Sequence, residues 1–393
     1  MRVLGMISGT SHDGIDMAVV EFRQDATVLR GTVTYHDTVP YSQQLRADLV
    51  AALPPGRVGA ADICALDTRI GQAFADAART ALAEVPADIV CTHGQTVYHW
   101  VQGTTALGTL QLGQPAWLAE ATGLPVVSDL RSADIAAGGQ GAPLVPVLDR
   151  MLLAPETGRG LCAGALNLGG ISNITVLPPG AEPLAWDIGP ANALIDAVVA
   201  ADPAHTDGFD RDGLLAASGH VDEQLLAVLL KEPYYDLAPP KSSGKEVFHA
   251  AYVNEALRRA GVRPVLEDLV ATLTALTVET VARTAEEAGL DVLYVSGGGV
   301  RNPVLMRGIT DRLPQVRVHT TDALDTPSDA KEAIAFALLG WHTLHGLPGN
   351  VPSCTGAGGE RVLGRITPGT TPLTLPGTPE VRPHTLVLDG AGT

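Results

Sequence analysis

Two stretches of this chain share one device: an apolar run, a glycine turn loaded with small polar residues, and a second apolar run. In the first, Val3-Leu4-Gly5-Met6-Ile7 leads into "SGTSHDG", which leads into Ile15-Asp16-Met17-Ala18-Val19-Val20. In the second, "GALNLGGISNITVL" carries Gly169-Gly170, then Ser172 and Asn173. Each frame reads as strand, tight turn, strand. A hairpin turns on a glycine or two, so Thr10, Ser11 and Asp13 are polar groups beyond that need. A chain that opens two regions with the same device is expected to be internally duplicated.

The remaining pattern fits an α/β sheet. "SQQLRADLVAAL" and "ADICALDTRIGQAFADAARTALAEV" place apolar residues at helical spacing. "ADIVCTHGQTVYHW" reads as a buried strand followed by a polar loop, and "TLQLGQPAWLAEATGLPVVSD" as strand, helix and short strand. "DVLYVSGGGVRNPVLMRGITDRL" reads as a strand, a triple-glycine loop and a helix, with Asn302-Pro303 suited to its N-cap and first turn. A length of 393 residues suggests two domains, or three. The aperiodic, glycine-rich "DLRSADIAAGGQGAPLVP" marks the expected junction. The expected division is a first α/β domain over 1–128, with a return of about 346–366, and a second over 129–345. The Pro-, Thr- and Gly-rich residues 367–393 are expected to be a loosely ordered tail.

A formal net charge of −17 argues against nucleic acid or an anionic membrane surface as partner. An anionic substrate would need a local cation or a row of amides. Cys64, Cys91, Cys162 and Cys354 match no metal-ligand spacing and read as buried small apolar residues in a reducing compartment. The first residues lack a charged segment followed by a long apolar run, and no apolar stretch reaches the roughly 20 residues of a membrane span. The expected location is the cytoplasm.

A phosphate chain needs backbone N–H donors at close approach, which glycine permits. Three loops could supply them: residues 9–14, 169–173 and 297–299. There is no Walker lysine motif and no dinucleotide fingerprint. Asp13 could hold a magnesium ion against phosphates or serve as an Asx-turn residue. Asp187, before Ile188-Gly189-Pro190, could take a proton from an attacking group or cap the following helix. His93-Gly94-Gln95 could grip a polar ligand, or His93 could be a satisfied structural histidine. His93 and His99 lack a third matched ligand, which speaks against zinc. Ser128, Ser132 and Ser172 lie in no nucleophile elbow. "KSSGK", residues 241–245, could touch an anion or be merely solvated.

At the level of motifs, "GMISGTSHDGID", "CTHGQTVYH", "DLRSADIAAGGQGAPLVP", "LNLGGISNIT", "DIGPANALID", "KSSGKEVF", "VSGGGVRNPVLM" and "LPGNVPSCTGA" occur in that order over about residues 3–366. The series resembles that of bacterial anhydro-N-acetylmuramic acid kinases. The resemblance implies the duplicated two-domain actin-like ATPase (ribonuclease H-like) fold, closing over ATP in an interdomain cleft. It implies ATP and Mg2+ as cofactors and a homodimer as the working form. The implied reaction opens the 1,6-anhydro ring of anhydro-N-acetylmuramic acid with water and phosphorylates O6. The product is N-acetylmuramic acid 6-phosphate, an intermediate of peptidoglycan recycling.

By match, Asp187 is the base. Gly9, Thr10, Ser11, Asp13, Gly14 and Asp16 hold phosphates, with Asp13 at the metal. Gly169, Gly170 and Asn173 hold the second phosphate side, and Gly297, Gly298 and Gly299 lie against adenosine. Gln95, Arg131 and Glu332 fall where the family contacts its sugar, Arg131 being suited to the lactyl carboxylate. Ile188 stands where the family usually has Thr or Ser, His12 where an apolar residue is usual, and the C-terminal tail is longer. Two other readings are a kinase for another anhydro sugar such as levoglucosan, and a non-catalytic nucleotide-switched binding protein.

Overall fold

Both glycine turns join antiparallel strands in the computed structural model of the chain, which describes residues 1–9, 11–244 and 247–390. The first sheet is built from β1 (Arg2–Ser8), β2 (Gly14–Asp25), β3 (Val28–Pro40), β4 (Ile89–Gln102), β5 (Thr105–Leu112) and β6 (Val126–Ser128). The second holds β7 (Ala163–Leu168), β8 (Ile171–Leu177), β9 (Leu184–Pro190), β10 (Val292–Ser296) and β11 (Arg317–Thr320). Two late strands, β12 (Arg365–Thr367) and β13 (Thr385–Asp389), return to the first sheet.

The two sheets repeat one topology. The first runs β3-β2-β1-β4-β6 and the second β9-β8-β7-β10-β11. In each, three strands form an antiparallel meander, and two further strands add in parallel beyond the first of them. That is the ribonuclease H-like order, present twice, which makes this the duplicated actin-like ATPase fold. The expected polar loop after "ADIVCT" is instead strand. β4 continues to Gln102 and forms a ribbon with β5, with Gly94 at a φ of 71° where a Cβ would meet the Leu112 carbonyl oxygen at 2.5 Å.

Apolar spacing along each helix selects the buried face. Leu66, Ile70, Phe74, Ala77, Ala78 and Ala81 of the helix Ala60–Glu84 pack with Leu4, Met6, Ile15 and Met17. In the second unit, Val281, Ala282 and Ala285 of the helix Leu266–Glu287 pack with Leu166, Leu168, Ile174 and Ile188. Asn302 caps the helix Pro303–Arg312, accepting from the Val304 and Leu305 amides, with Pro303 in its first turn as read from the sequence.

The division of the chain differs from the sequence-based boundaries. One unit comprises Met1–Ala154, Leu324–Thr326 and Ala330–Thr393, and the other Pro155–Ala323 and Pro327–Asp329. Residues 129–154 stay with the first unit because the glycine-rich run is a buttress, not a linker. Buried Asp134 accepts from the Gly141 amide at 2.8 Å, and from Asn350 Nδ2 and Thr355 Oγ1 at 2.7 Å each. The helix Lys331–Leu344 also belongs there. It lies so close on β1 that a Cβ on Gly5 would sit 2.0 Å from the Ala333 carbonyl oxygen. Its first residue, Lys331, makes a buried ion pair with Asp149 at 2.7 Å. The tail is tethered rather than loose. β13 pairs in parallel with β3, and Leu386 and Leu388 are buried. Three cysteines are buried as expected, whereas Cys64 is exposed.

Candidate active site

In the first unit, the turn between β1 and β2 is braced from below. Ser8 Oγ lies 2.7 Å from the Gly14 carbonyl and 2.6 Å from Gln95 Oε1, its single hydroxyl proton shared between the two acceptors. Gln95 Nε2 in turn donates to the carbonyls of Gly9 and Thr96. The polar atoms of Gln95, expected to touch sugar, bond to the protein here, and the side chain is buried. Ser11 Oγ donates to Asp13 Oδ1 at 2.6 Å, and Asp13 is exposed. The Asp13 carbonyl accepts from the Tyr41 amide. Gly9 has open space around the position of a Cβ, whereas Gly14 packs against the Val39 carbonyl. Thr10 lies outside the described residues. Asp16, on β2 opposite Ile7, accepts from Thr38 Oγ1 at 2.6 Å.

A charged cluster lies in the same unit. Arg131 donates through Nε to His93 Nε2 at 2.9 Å and through Nη1 to the Gly141 carbonyl at 3.2 Å. Both acceptors are neutral. Burial holds His93 down to about 3, helped by the Arg131 charge, so Nδ1 keeps the proton and faces the Gly94 carbonyl at 3.1 Å. The ring also packs on Phe336 at 4.9 Å. His93 is thus a satisfied histidine that aims Arg131, and it sits inside β4 rather than at a strand end. Burial pulls Arg131 down to about 10, with the Glu332 charge opposing. Burial raises Glu332 above its ordinary value, as does Asp16, while Lys331 and Arg131 act the other way.

In the second unit, the Gly169-Gly170 turn docks on the start of the helix Asn192–Ala200. The Gly169 carbonyl accepts from the Asn192 amide and from Asn192 Nδ2, and the Gly170 carbonyl accepts from the Ala191 and Ala193 amides. The two glycine amides donate to no acceptor among the described residues. Cβ atoms on either glycine would meet nothing closer than 3.5 Å. The third loop divides by role. Gly297 has a φ of 86° and a Cβ there would lie 2.3 Å from Asn167 Oδ1; Gly299 is pressed on Leu168. Gly298, between them, has open space. An open glycine with an ordinary φ is not demanded by the fold, and it leaves backbone amides approachable.

Asp187 lies on β9, the edge strand, opposite Asn173 of β8. The register shifts there: Ser172 faces Gly189 and Asn173 faces Asp187, which leaves Ile188 as the extra residue of a bulge. Bulges re-aim side chains beside sites. The capping reading is excluded, since the N-cap of the next helix is Ala191. Asp187 Oδ2 instead accepts from the Ser243 amide at 2.9 Å. Ile188 is buried among Leu166, Ile174 and Val281, so its lack of a hydroxyl takes nothing from an open face. The sequence reading missed Ser8, Asn192 and Tyr234. A buried serine directly before a glycine turn is the signal that could have found the first. "KSSGK" proves to be more than a solvated loop up to Gly244; Lys245 lies outside the described residues.

A family model for anhydro-N-acetylmuramic acid kinase matches residues 1–369. The chain is 52% identical over 381 residues to the anhydro-N-acetylmuramic acid kinase of Streptomyces coelicolor, covering 96% of each. It is 50% identical over 381 residues to that of Rhodococcus erythropolis, covering 94% of this chain and 95% of the relative. Among solved structures, the activator of the 2-hydroxyisocaproyl-CoA dehydratase from Clostridium difficile with bound ADPNP aligns over 86% of this chain and 93% of its own. That alignment has a TM-score of 0.40 at 11% identity. On the extent of the family match and on relatives at half identity over nearly the whole length, the chain belongs to the anhydro-N-acetylmuramic acid kinase family.

Proposed function

We propose that the chain phosphorylates 1,6-anhydro-N-acetylmuramic acid at O6 with ATP while water opens the anhydro ring, giving N-acetylmuramic acid 6-phosphate for peptidoglycan recycling. The observation that carries the sugar assignment is Arg131. Its two hydrogen bonds go to neutral acceptors, and its other donors have no partner among the described residues. A desolvated guanidinium in that state suits a carboxylate, which the muramic lactyl group provides and levoglucosan lacks. Glu332, in the same charged cluster, would meet sugar hydroxyls.

In the proposed reaction, Asp187 takes a proton from water as the water oxygen bonds to the anomeric carbon. The C1–O6 bond breaks with its electron pair going to O6, and O6 takes the γ-phosphoryl, releasing ADP. Asp187 then returns its proton to solvent. Positioning and charge neutralisation are the remaining requirements of phosphoryl transfer. The amides of Ser11, Gly169, Gly170 and Gly298 would supply donors, with Gly9 and Gly298 allowing close approach. Asn173 would steady the second turn beside Asp187. A magnesium ion would be held by Asp13 and the phosphates and would neutralise phosphate charge. Among the described residues no group of three or more His, Cys, Asp or Glu forms a ready metal cage, which fits an ion usually taken by one or two carboxylates plus phosphates and water.

Turnover in oxygen-18 water tests the reading. Label at the anomeric hydroxyl, caught before mutarotation and lost in Asp187→Asn, is the expected result. Nucleotide that binds without any sugar product would overturn it. The proposal includes a cytoplasmic homodimer, which sedimentation of the purified protein checks. Among the described residues no helix is long and apolar enough to cross a membrane.

A further inference from the structure

Asp187 stands where a strand is least able to hold a side chain still. It is on the edge strand of its sheet and beside a bulge. Its other flank is held by two pieces of chain. The Tyr234 hydroxyl donates to the Asp187 carbonyl at 2.7 Å. The Lys241 carbonyl accepts from the Asp187 amide at 3.1 Å, and the Ser243 amide donates to the carboxylate. Between those pieces, Leu237, Ala238, Pro239 and Pro240 are exposed. The Lys241 ammonium ties the two ends together. It donates to the carbonyls of Tyr234 and Tyr235 at 3.1 and 3.0 Å, and lies 4.8 Å from the centre of the Tyr234 ring. Tyr234 and Tyr235 are anchored in turn against Phe248. A Cβ on Gly189, two residues from Asp187, would meet the Tyr235 ring at 2.8 Å, so the turn is seated directly on the bulge.

We infer that Lys241 is a positioning residue for this reaction: its ammonium closes a clamp of Tyr234 and the 241–243 loop that fixes the backbone and carboxylate of Asp187. The inference rests on the reading of Asp187 as the base. The ammonium acts through geometry, by capping two carbonyls that would otherwise let the turn and loop separate. It makes no contact with Asp187 itself.

The test is steady-state kinetics on Lys241→Met, Lys241→Arg, Tyr234→Phe and Asp187→Asn, each with a melting temperature. Lys241→Met is expected to lower kcat about 10- to 100-fold, because an ångström of misplacement costs on the order of 100-fold. KM for sugar and for ATP should stay within about threefold, since ground-state binding is untouched. Lys241→Arg, which keeps a cation and donors, should recover most of the loss. Lys241→Met with wild-type kcat beside an inactive Asp187→Asn overturns the inference and leaves the base reading standing. Asp187→Asn with wild-type turnover overturns both. If Lys241→Met does not fold, Tyr234→Phe decides: it keeps the ring and loses only the hydroxyl, so a lower kcat at unchanged KM supports the clamp and an unchanged kcat overturns it.

Discussion

The two hairpin turns occupy equivalent places in equivalent sheets, yet they are held by different means. The first, between β1 and β2, rests on buried side chains, Ser8 and Gln95, that bond the Gly14 and Gly9 carbonyls from beneath. The second, Gly169-Gly170, has no side chains of its own and is held from the start of the helix Asn192–Ala200, by the backbone amides of Ala191, Asn192 and Ala193 and by Asn192 Nδ2. The charged groups divide similarly. Arg131, Glu332 and Asp16 cluster in the first unit, whereas Asp187 of the second is steadied by backbone amides and carbonyls and by the Tyr234 hydroxyl. Duplication preserves strand order because the core enforces it. What braces a turn follows from what the turn must hold.

The largest expected effect separates the units by kinetic role. Asp187→Asn should lower kcat roughly 10²- to 10⁴-fold with the melting temperature held, the usual span for losing a general base. Arg131→Met in the other unit should instead raise KM for the sugar by about 10- to 100-fold, from the ~1.5–3 kcal/mol of hydrogen bonds to a charged group. An Arg131→Met enzyme that lost kcat at wild-type KM would erase the division.

Glycines sharpen the comparison at smaller scale. Gly297→Ala forces a Cβ onto Asn167 at positive φ and should cost about 1–3 kcal/mol of stability by thermal melting. Gly298→Ala should leave stability within about 0.5 kcal/mol, since a Cβ there meets nothing, while raising KM for ATP. Equal melting temperatures for the two variants would remove the distinction between packing and ligand glycines.

The smallest effect is an acid sensitivity carried by two buried rings of the first unit. His93 and His342 are both buried and held down, to about 3 and about 4, chiefly by desolvation. The unfolded chain binds protons on these rings near their ordinary value, and the native chain does not. Stability should therefore fall as pH drops from about 6.5 towards 4, by up to about 1.4 kcal/mol per unit for each ring. Melting curves over that range should flatten when His93 is replaced by Gln; an unchanged slope would deny the ring its share.

The sequence carried the fold through local signals: alternating apolar runs, glycine turns, and the Asn302-Pro303 cap. It misplaced the unit boundary because Asp134, Asn350 and Thr355 meet only after distant segments converge, and no local pattern encodes that. The helix Lys331–Leu344 reads as a helix from its spacing, but its seat on β1 depends on Gly5 and Gly340 lacking side chains, which is visible only once strand and helix are paired. In the site, the glycine loops were legible as residue types, whereas which glycines serve packing and which are open depended on their neighbours. Gln95 reads as a ligand residue because an amide beside a histidine has the right chemistry; its burial and its bonds under the turn depend on neighbours that no local pattern encodes.

The return of β13 to β3 has a consequence for synthesis. The second unit is nearly continuous in sequence, so all five of its strands have left the ribosome by residue 320. The first unit, though translated first, waits for the helix Lys331–Leu344 and then for the last described strand. Order of emergence and order of completion are therefore reversed, with the downstream half able to fold while the upstream half still lacks parts of itself. A nascent chain stalled with residue 330 just clear of the ribosome should hold a protease-resistant second unit behind an unfinished, protease-sensitive first.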